Sequence, residues 1–233
     1  MCDKLDKSSI NKIEKKILKT YPNTYTFSKN MAEQIVAGKC KDLPVAIVRP
    51  SIIGASLEEP CPGWIQNISG CTGTFLLISK GCATAIRGRR DARLDVVPVD
   101  FVIDTIICTA WHVTLHPEHE VKVYNCTSNA NPFRMMKLLK SGNKLFASLQ
   151  YFILHEWTFQ RDNCSDLARK VKMLNDSDMV KLDLEHMDWE KYVAIYLMGI
   201  RKFILKQDFK STARQRLSRL YWIHQITKLF GII

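Results

Sequence analysis

An α/β fold with a parallel sheet, followed by a small all-α region, is the architecture this 233-residue sequence predicts. Three observations carry it. Two short apolar runs without alternation, Leu43 to Val48 (LPVAIV) and Leu94 to Val99 (LDVVPV), suit parallel strands covered on both faces. Helical patterns separate the strand signals in the order helix, strand, helix, strand, helix, strand. Beyond about residue 132 the strand signals stop, which sets the expected division at 1–133 and 134–233.

The elements follow in order. Residues 3–19 read as a helix with apolar Leu5, Ile10, Ile13, Ile17 and Leu18 among lysines. Tyr21-Pro22-Asn23-Thr24 breaks it and opens a second helix, expected to run to about Val36 with Gly38 just past its end. Phe27, Met31 and Ile35 form one stripe of that helix, expected to face a core. Tyr25 and Lys29 fall on the other side, expected to face a cleft. The first strand leads into a proline- and glycine-rich stretch over 50–74, read as a long irregular loop of the kind that places ligands in α/β folds. A short helix over about 75–87, the second strand, a helix capped by Asp100 through about Val113, and a strand over 121–125 complete the first part. In the second part, Phe146 to Trp157 is apolar-rich. Trp189, Tyr192, Val193, Tyr196, Leu197, Ile200, Phe203 and Ile204 make a helical stripe, better suited to a core than to a cofactor.

Composition bounds the chemistry. Hydrophobic residues make up 46% of the chain, enough for a packed core. Thirty-four basic against 23 acidic residues give +11, which suits anionic ligands, an anionic membrane surface or nucleic acid. Nucleic acid has no stacking-aromatic motif behind it and is not expected as a partner. The eight cysteines are scattered without a C-x-x-C pair and read as free thiols, and the N-x-S/T sequons at Asn67, Asn125, Asn163 and Asn175 are expected to be unused. No apolar run reaches the ~18 residues of a membrane span. The basic residues Arg201, Lys202, Lys206, Lys210, Arg214, Arg216 and Arg219 before the apolar tail at Leu220 to Ile233 suit association with a membrane surface.

Chemistry is concentrated near the start. Tyr25 and Lys29, four apart, point the same way on a helix. An ammonium beside a phenol favours the phenolate, which makes the phenol a better acid toward a carbonyl oxygen. A hydride donor beside the pair would complete a carbonyl reductase. Taken alone, the spacing is met equally by a surface tyrosine and lysine that share a face by chance. His112, His116 and His119 invite a metal reading, but Pro117 interrupts the helix and no cysteine or carboxylate completes a spacing, so no metal is expected. Asp95, Asp100 and Asp104 could be read as paired acids, but Asp100 reads better as a helix cap and Asp104 as a polar-side residue of that helix; Gly70-x-x-Gly73 lacks the Lys-Ser/Thr of a phosphate loop. Arg87, Arg89, Arg90 and Arg93 are either a solvated loop or an anchor for CoA phosphates.

Three stretches in order, YPNTYTFSKNMAEQIV, LPVAIVRPSIIGASLEEPCPGWIQN and LDVVPVDFVIDTI, resemble the alcohol-forming fatty acyl-CoA reductases, in wording closest to insect members. YFILHEWTF and MDWEKYVAIYLMGIRKFILK are similar to the smaller "male sterility" domain of that family. The resemblance implies the C-terminal part of a Rossmann-type domain. It implies Tyr25 as general acid, Lys29 lowering its pKa and holding the nicotinamide ribose, and Pro50-Ser51-Ile52 beside the nicotinamide carboxamide. It also implies NADPH as cofactor, a long-chain acyl-CoA as substrate, a primary alcohol as product, and the cytosolic face of an intracellular membrane, peroxisome or endoplasmic reticulum.

The family opens with a strand, a Gly-rich turn and a helix that nothing here matches, and its serine upstream of the tyrosine has no counterpart, Ser8 and Ser9 falling in a helix. Only about a dozen residues bridge Pro132 to the YF…W region, where members carry more. A shortened reductase is therefore expected, with marginal stability and a tendency to associate through its open sheet edge. The alternative is an inactive fragment or degenerate copy that acts by pairing with a full-length relative.

Overall fold

The computed structural model describes residues 6–17, 21–40, 42–79, 93–118, 120–128, 131, 133–134, 157–174 and 179–207. The chain forms α1 (Lys7–Ile17), α2 (Thr24–Lys39), β1 (Ala46–Pro50), β2 (Ile52–Gly54), α3 (Cys71–Ser79), β3 (Arg93–Leu94), β4 (Val96–Pro98), α4 (Val99–Leu115), β5 (Lys122–Cys126), β6 (Phe133–Arg134), α5 (Asp162–Lys172) and α6 (Trp189–Gly199). A π-helical turn over Ile200–Ile204 ends the last helix. β1 pairs with β5 and β2 with β4, both in parallel, while β3 and β6 pair antiparallel. The α/β expectation therefore holds for the first part, and the described residues from 157 onward contain helices and no strand.

Local chemistry explains the element ends. Asn23 caps α2, its side-chain oxygen accepting from Thr26 N–H at 2.9 Å. Asp188 caps α6 through Glu190 N–H at 3.0 Å and Lys191 N–H at 3.1 Å. Three expectations shift. The first strand begins at Ala46, because the register Ala46↔Lys122 starts there and Leu43 stays exposed beyond Pro44. Gly38 lies inside α2 rather than past its end, with open space around it, so the helix runs on to the Cys40 cap. The third helix starts at Cys71, and residues 80–87 of the expected range lie outside the described residues.

Among the described residues the core comes in three patches. Ala55, Ile65, Leu94 and Val96 meet Tyr192, Tyr196 and Ile200 of the last helix and its π turn. Val97, Phe101, Val102 and Cys126 pack with Leu184. Cys108 of α4 and Tyr124 of β5 close over Cys164, Leu167 and Val171 of α5. A fully buried leucine or isoleucine such as Leu167 or Ile200 contributes roughly 1.5–3 kcal/mol. The Trp/Tyr stripe is thus core, although Leu197 at its edge is exposed.

The helical half does not stand apart from the sheet. Gly63, at φ +77°, and Gly199 of α6 let the two backbones touch: a Cβ on Gly199 would lie 1.8 Å from Gly63 O. Tyr192 Oη donates to Ala55 O at 2.8 Å, and Tyr196 Oη shares a 2.8 Å bond with Thr72 Oγ1.

One expectation fails outright. α2 has no buried residue: of the expected stripe, Met31 (38% exposed) and Ile35 (53% exposed) are exposed, and Phe27 is half-buried with its ring against Tyr21, outside the three core patches. The described elements touch α2 from the Glu33 side instead, where Arg49 of β1 pairs with it. α4 differs: it buries Phe101, Val102 and Cys108 together with Thr105, Thr109 and His112, yet leaves Ile103, Ile106 and Ile107 exposed.

Candidate active site

Tyr25 sits in the first turn of α2, and Lys29 follows one turn later. The Lys29 ammonium lies over the Tyr25 ring, 5.7 Å from its centroid, within cation–π range. Tyr25 is 64% exposed, so its phenol is open to a ligand. Glu33 continues the same stripe at i+8, about 12 Å along the axis from Tyr25 at 1.5 Å per residue. It receives Arg49 in a two-pronged ion pair, with Arg49 Nε 2.8 Å from Glu33 Oε1. The glutamate raises the Arg49 pKa further, chiefly through this hydrogen bond. The Tyr25–Lys29 face is thereby tied to the end of β1, one residue before Pro50-Ser51-Ile52.

That turn lies where parallel strands β1 and β5 end, the side on which open α/β sheets bind ligands. Ser51 N–H donates to Cys126 O and Ile52 N–H to Asp95 O, both at 3.0 Å, so both amides are engaged within the protein. Ser51 Oγ donates to Asp95 Oδ1 at 2.8 Å, which leaves the hydroxyl's lone pairs as acceptors. The same Oδ1 accepts from Ser128 N–H at 2.7 Å and Ser128 Oγ at 2.8 Å. Asp95 Oδ2 is buried and has no hydrogen-bond partner among the described residues.

The structure brings Tyr25 and Lys29 together and gathers Pro50, Ser51 and Ile52 at one sheet end. No hydrogen bond or ion pair joins the two groups among the described residues; Glu33 and Arg49 make the link. Sequence reasoning missed Glu33 and Ser128, and offered Asp95 only as a paired acid with Asp100 and Asp104, not as the acceptor that orients Ser51. A signal existed for Asp95: a carboxylate inside an apolar strand run must find donors when it folds inward.

Asp100 also differs from its expected role. The residue preceding α4 is Pro98, with no side-chain cap bond, and Asp100 lies in the first turn. Its carboxylate instead holds the loop after β2: Leu57 N–H at 3.1 Å to each oxygen, Glu58 N–H at 2.9 Å and Glu59 N–H at 3.4 Å. Asp104 likewise turns to the second half, accepting from Lys181 N–H at 2.7 Å. Burial raises the Asp104 pKa against that bond. Of the expected histidine group, His112 and His116 lie with rings 5.0 Å apart and His119 falls outside the described residues. Arg87, Arg89 and Arg90, and the tail beyond residue 207, also lie outside them. The six described cysteines are free thiols.

Comparison with known proteins decides the family. Two family models described as male sterility protein match in order, the NAD-binding one over residues 2–106 and the Sterile one over residues 117–207. Fatty acyl-CoA reductase 2 of Mus musculus is 29% identical over 296 residues, covering 98% of this chain. The chain belongs to the fatty acyl-CoA reductase family. The human fatty acyl-CoA reductase 2 is 28% identical with the same 98% coverage, and the mouse fatty acyl-CoA reductase 1 is 28% identical with 93% coverage. The chain spans 57% and 54% of the two mouse relatives, a little over half of each. The first alignment is longer than the chain, so at least 63 of its positions (296 minus 233) have no counterpart here. Family membership makes this a reductase-family chain, and its match to an NAD-binding domain indicates a nicotinamide cofactor. Among the described residues, no helix of this reductase-family chain is long and apolar enough to cross a membrane.

Proposed function

We propose that this chain carries the proton-transfer end of an NADPH-dependent reductase that converts a long-chain fatty acyl-CoA to a primary alcohol. The supporting observation is the stripe Tyr25–Lys29–Glu33, fastened through Arg49 to the turn that ends β1. The residues present fit the nicotinamide end of the cofactor. Lys29 offers ammonium donors for ribose hydroxyls, and Ser51 Oγ, oriented by Asp95, offers lone pairs for a carboxamide N–H. Bound NADPH supplies the hydride. Tyr25 gives its proton to the substrate's carbonyl oxygen as the negative charge develops there. Lys29 keeps positive charge beside the phenol ring through the transfer. The same pair serves both reductions, each taking one hydride and one proton: the first adduct collapses to the aldehyde with loss of the CoA thiol, and the second is protonated to the alcohol. Association with a membrane surface through the basic and apolar C-terminal stretch would bring the enzyme to a lipid substrate.

A second reading is favoured by the uncovered apolar residues. Met31 and Ile35 of α2 and Ile103, Ile106 and Ile107 of α4 suit a chain that pairs with a full-length relative and does no chemistry alone. Calorimetric titration of the purified chain with NADPH separates the two. Saturable micromolar binding supports the enzyme reading. No binding, with co-purification of an intact reductase, supports the pairing reading.

A further inference from the structure

We propose that His112 is an acid-sensitive latch that fastens α5 to α4 and β5, closed while the imidazole is neutral and opened by its protonation.

The argument rests on donors and acceptors. His112 is buried on the inner face of α4. Lys170 Nζ of α5 lies 2.8 Å from its Nε2. An ammonium has only donors, so Nε2 must accept. The Lys170 charge is itself held by Asp166, one helical turn back, at 3.0 Å. With Nε2 as acceptor, the imidazole proton lies on Nδ1, 3.3 Å from Tyr124 Oη of β5, and is donated there. One neutral ring thus bridges three elements. Protonation removes the acceptor and sets an imidazolium N–H against an ammonium at hydrogen-bond distance.

The surrounding charges reinforce this. His116 on the same helix faces the ring. Lys122 of β5 is paired with Glu118 from the preceding loop, and Glu120 lines the same shallow pocket beside His112. Burial is the largest influence on His112 and lowers its pKa, followed by Lys170, His116 and Lys122; Asp166 opposes them. The folded ring therefore binds a proton less readily than the opened one. Between the open-state value near ~6.5 and the lower closed-state value, falling pH favours opening by up to about tenfold per pH unit; below the closed-state value the effect levels off.

The test is amide hydrogen exchange of the full chain between pH 7.5 and 5, corrected for intrinsic rates, with α6 as internal reference. Protection of Leu167 to Val171 is expected to fall by up to about tenfold per unit below pH ~6.5, then level off, while Tyr192 to Tyr196 keep theirs. His112→Gln, which can accept from Lys170 and donate to Tyr124 at every pH, should abolish the fall. If that variant does not fold, Lys170→Met serves: without the ammonium the fall should shrink. Nitrogen NMR of the ring should show the Nδ1–H form at pH 7.5. A fall of wild-type size in either variant, no fall in wild type, or an Nε2–H ring would overturn the proposal.

Discussion

Removing the Asp100 carboxylate should unfasten the loop that follows β2. Asp100→Ala takes the acceptor from three backbone amides, those of Leu57, Glu58 and Glu59. Bonds to a charged acceptor contribute about 1.5–3 kcal/mol each, but water can replace those at the exposed Glu58 and Glu59. The half-buried Leu57 amide carries most of the loss, about 1–3 kcal/mol. A carboxylate in the first turn of α4 adds about 0.3–1 kcal/mol through the helix dipole. The total is about 1–4 kcal/mol, and Asp100→Asn, which keeps one acceptor oxygen, should lose about half of it. Urea denaturation followed by tryptophan fluorescence measures both. Asp100→Ala within ~0.5 kcal/mol of wild type would refute the reasoning, and would mean that Ser56, Gly63 and the α6 contacts hold the loop unaided.

Two further outcomes can be checked in the same assay. Gly199→Ala puts a methyl 1.8 Å from the Gly63 carbonyl oxygen, a backbone atom that cannot swing aside, and should cost about 3 kcal/mol or prevent folding. Ile35→Gln should change stability by less than ~0.5 kcal/mol, because the side chain is in water; a loss of ~2 kcal/mol would restore the expectation that this stripe faces a core.

Much of this was legible where the signal is local. Asn23 and Asp188 announce helix starts, and the Trp189–Tyr192–Tyr196–Ile200 spacing identifies a core stripe because helical period alone decides which residues share a face. The adjacency of Tyr25 and Lys29 is readable for the same reason. Period does not say what covers a face, and so Met31 and Ile35 were assigned to a core they do not reach. The loop over 55–65 was opaque because its anchors are distant in sequence: Asp100, Tyr192 and Gly199 meet it only after the chain has folded back. Glu33 with Arg49 and Ser51 with Asp95 escaped notice likewise, since partners 16 and 44 residues apart leave no periodic trace.

The role of Tyr25 is tested most directly by Tyr25→Phe in the purified chain, supplied with NADPH and a long-chain acyl-CoA and followed by NADPH oxidation and alcohol formation. Loss of general-acid catalysis should slow turnover by about 10²–10⁴-fold, while the melting temperature stays put because the hydroxyl is solvent-exposed. Turnover by wild type that Tyr25→Phe leaves unchanged would contradict the assignment.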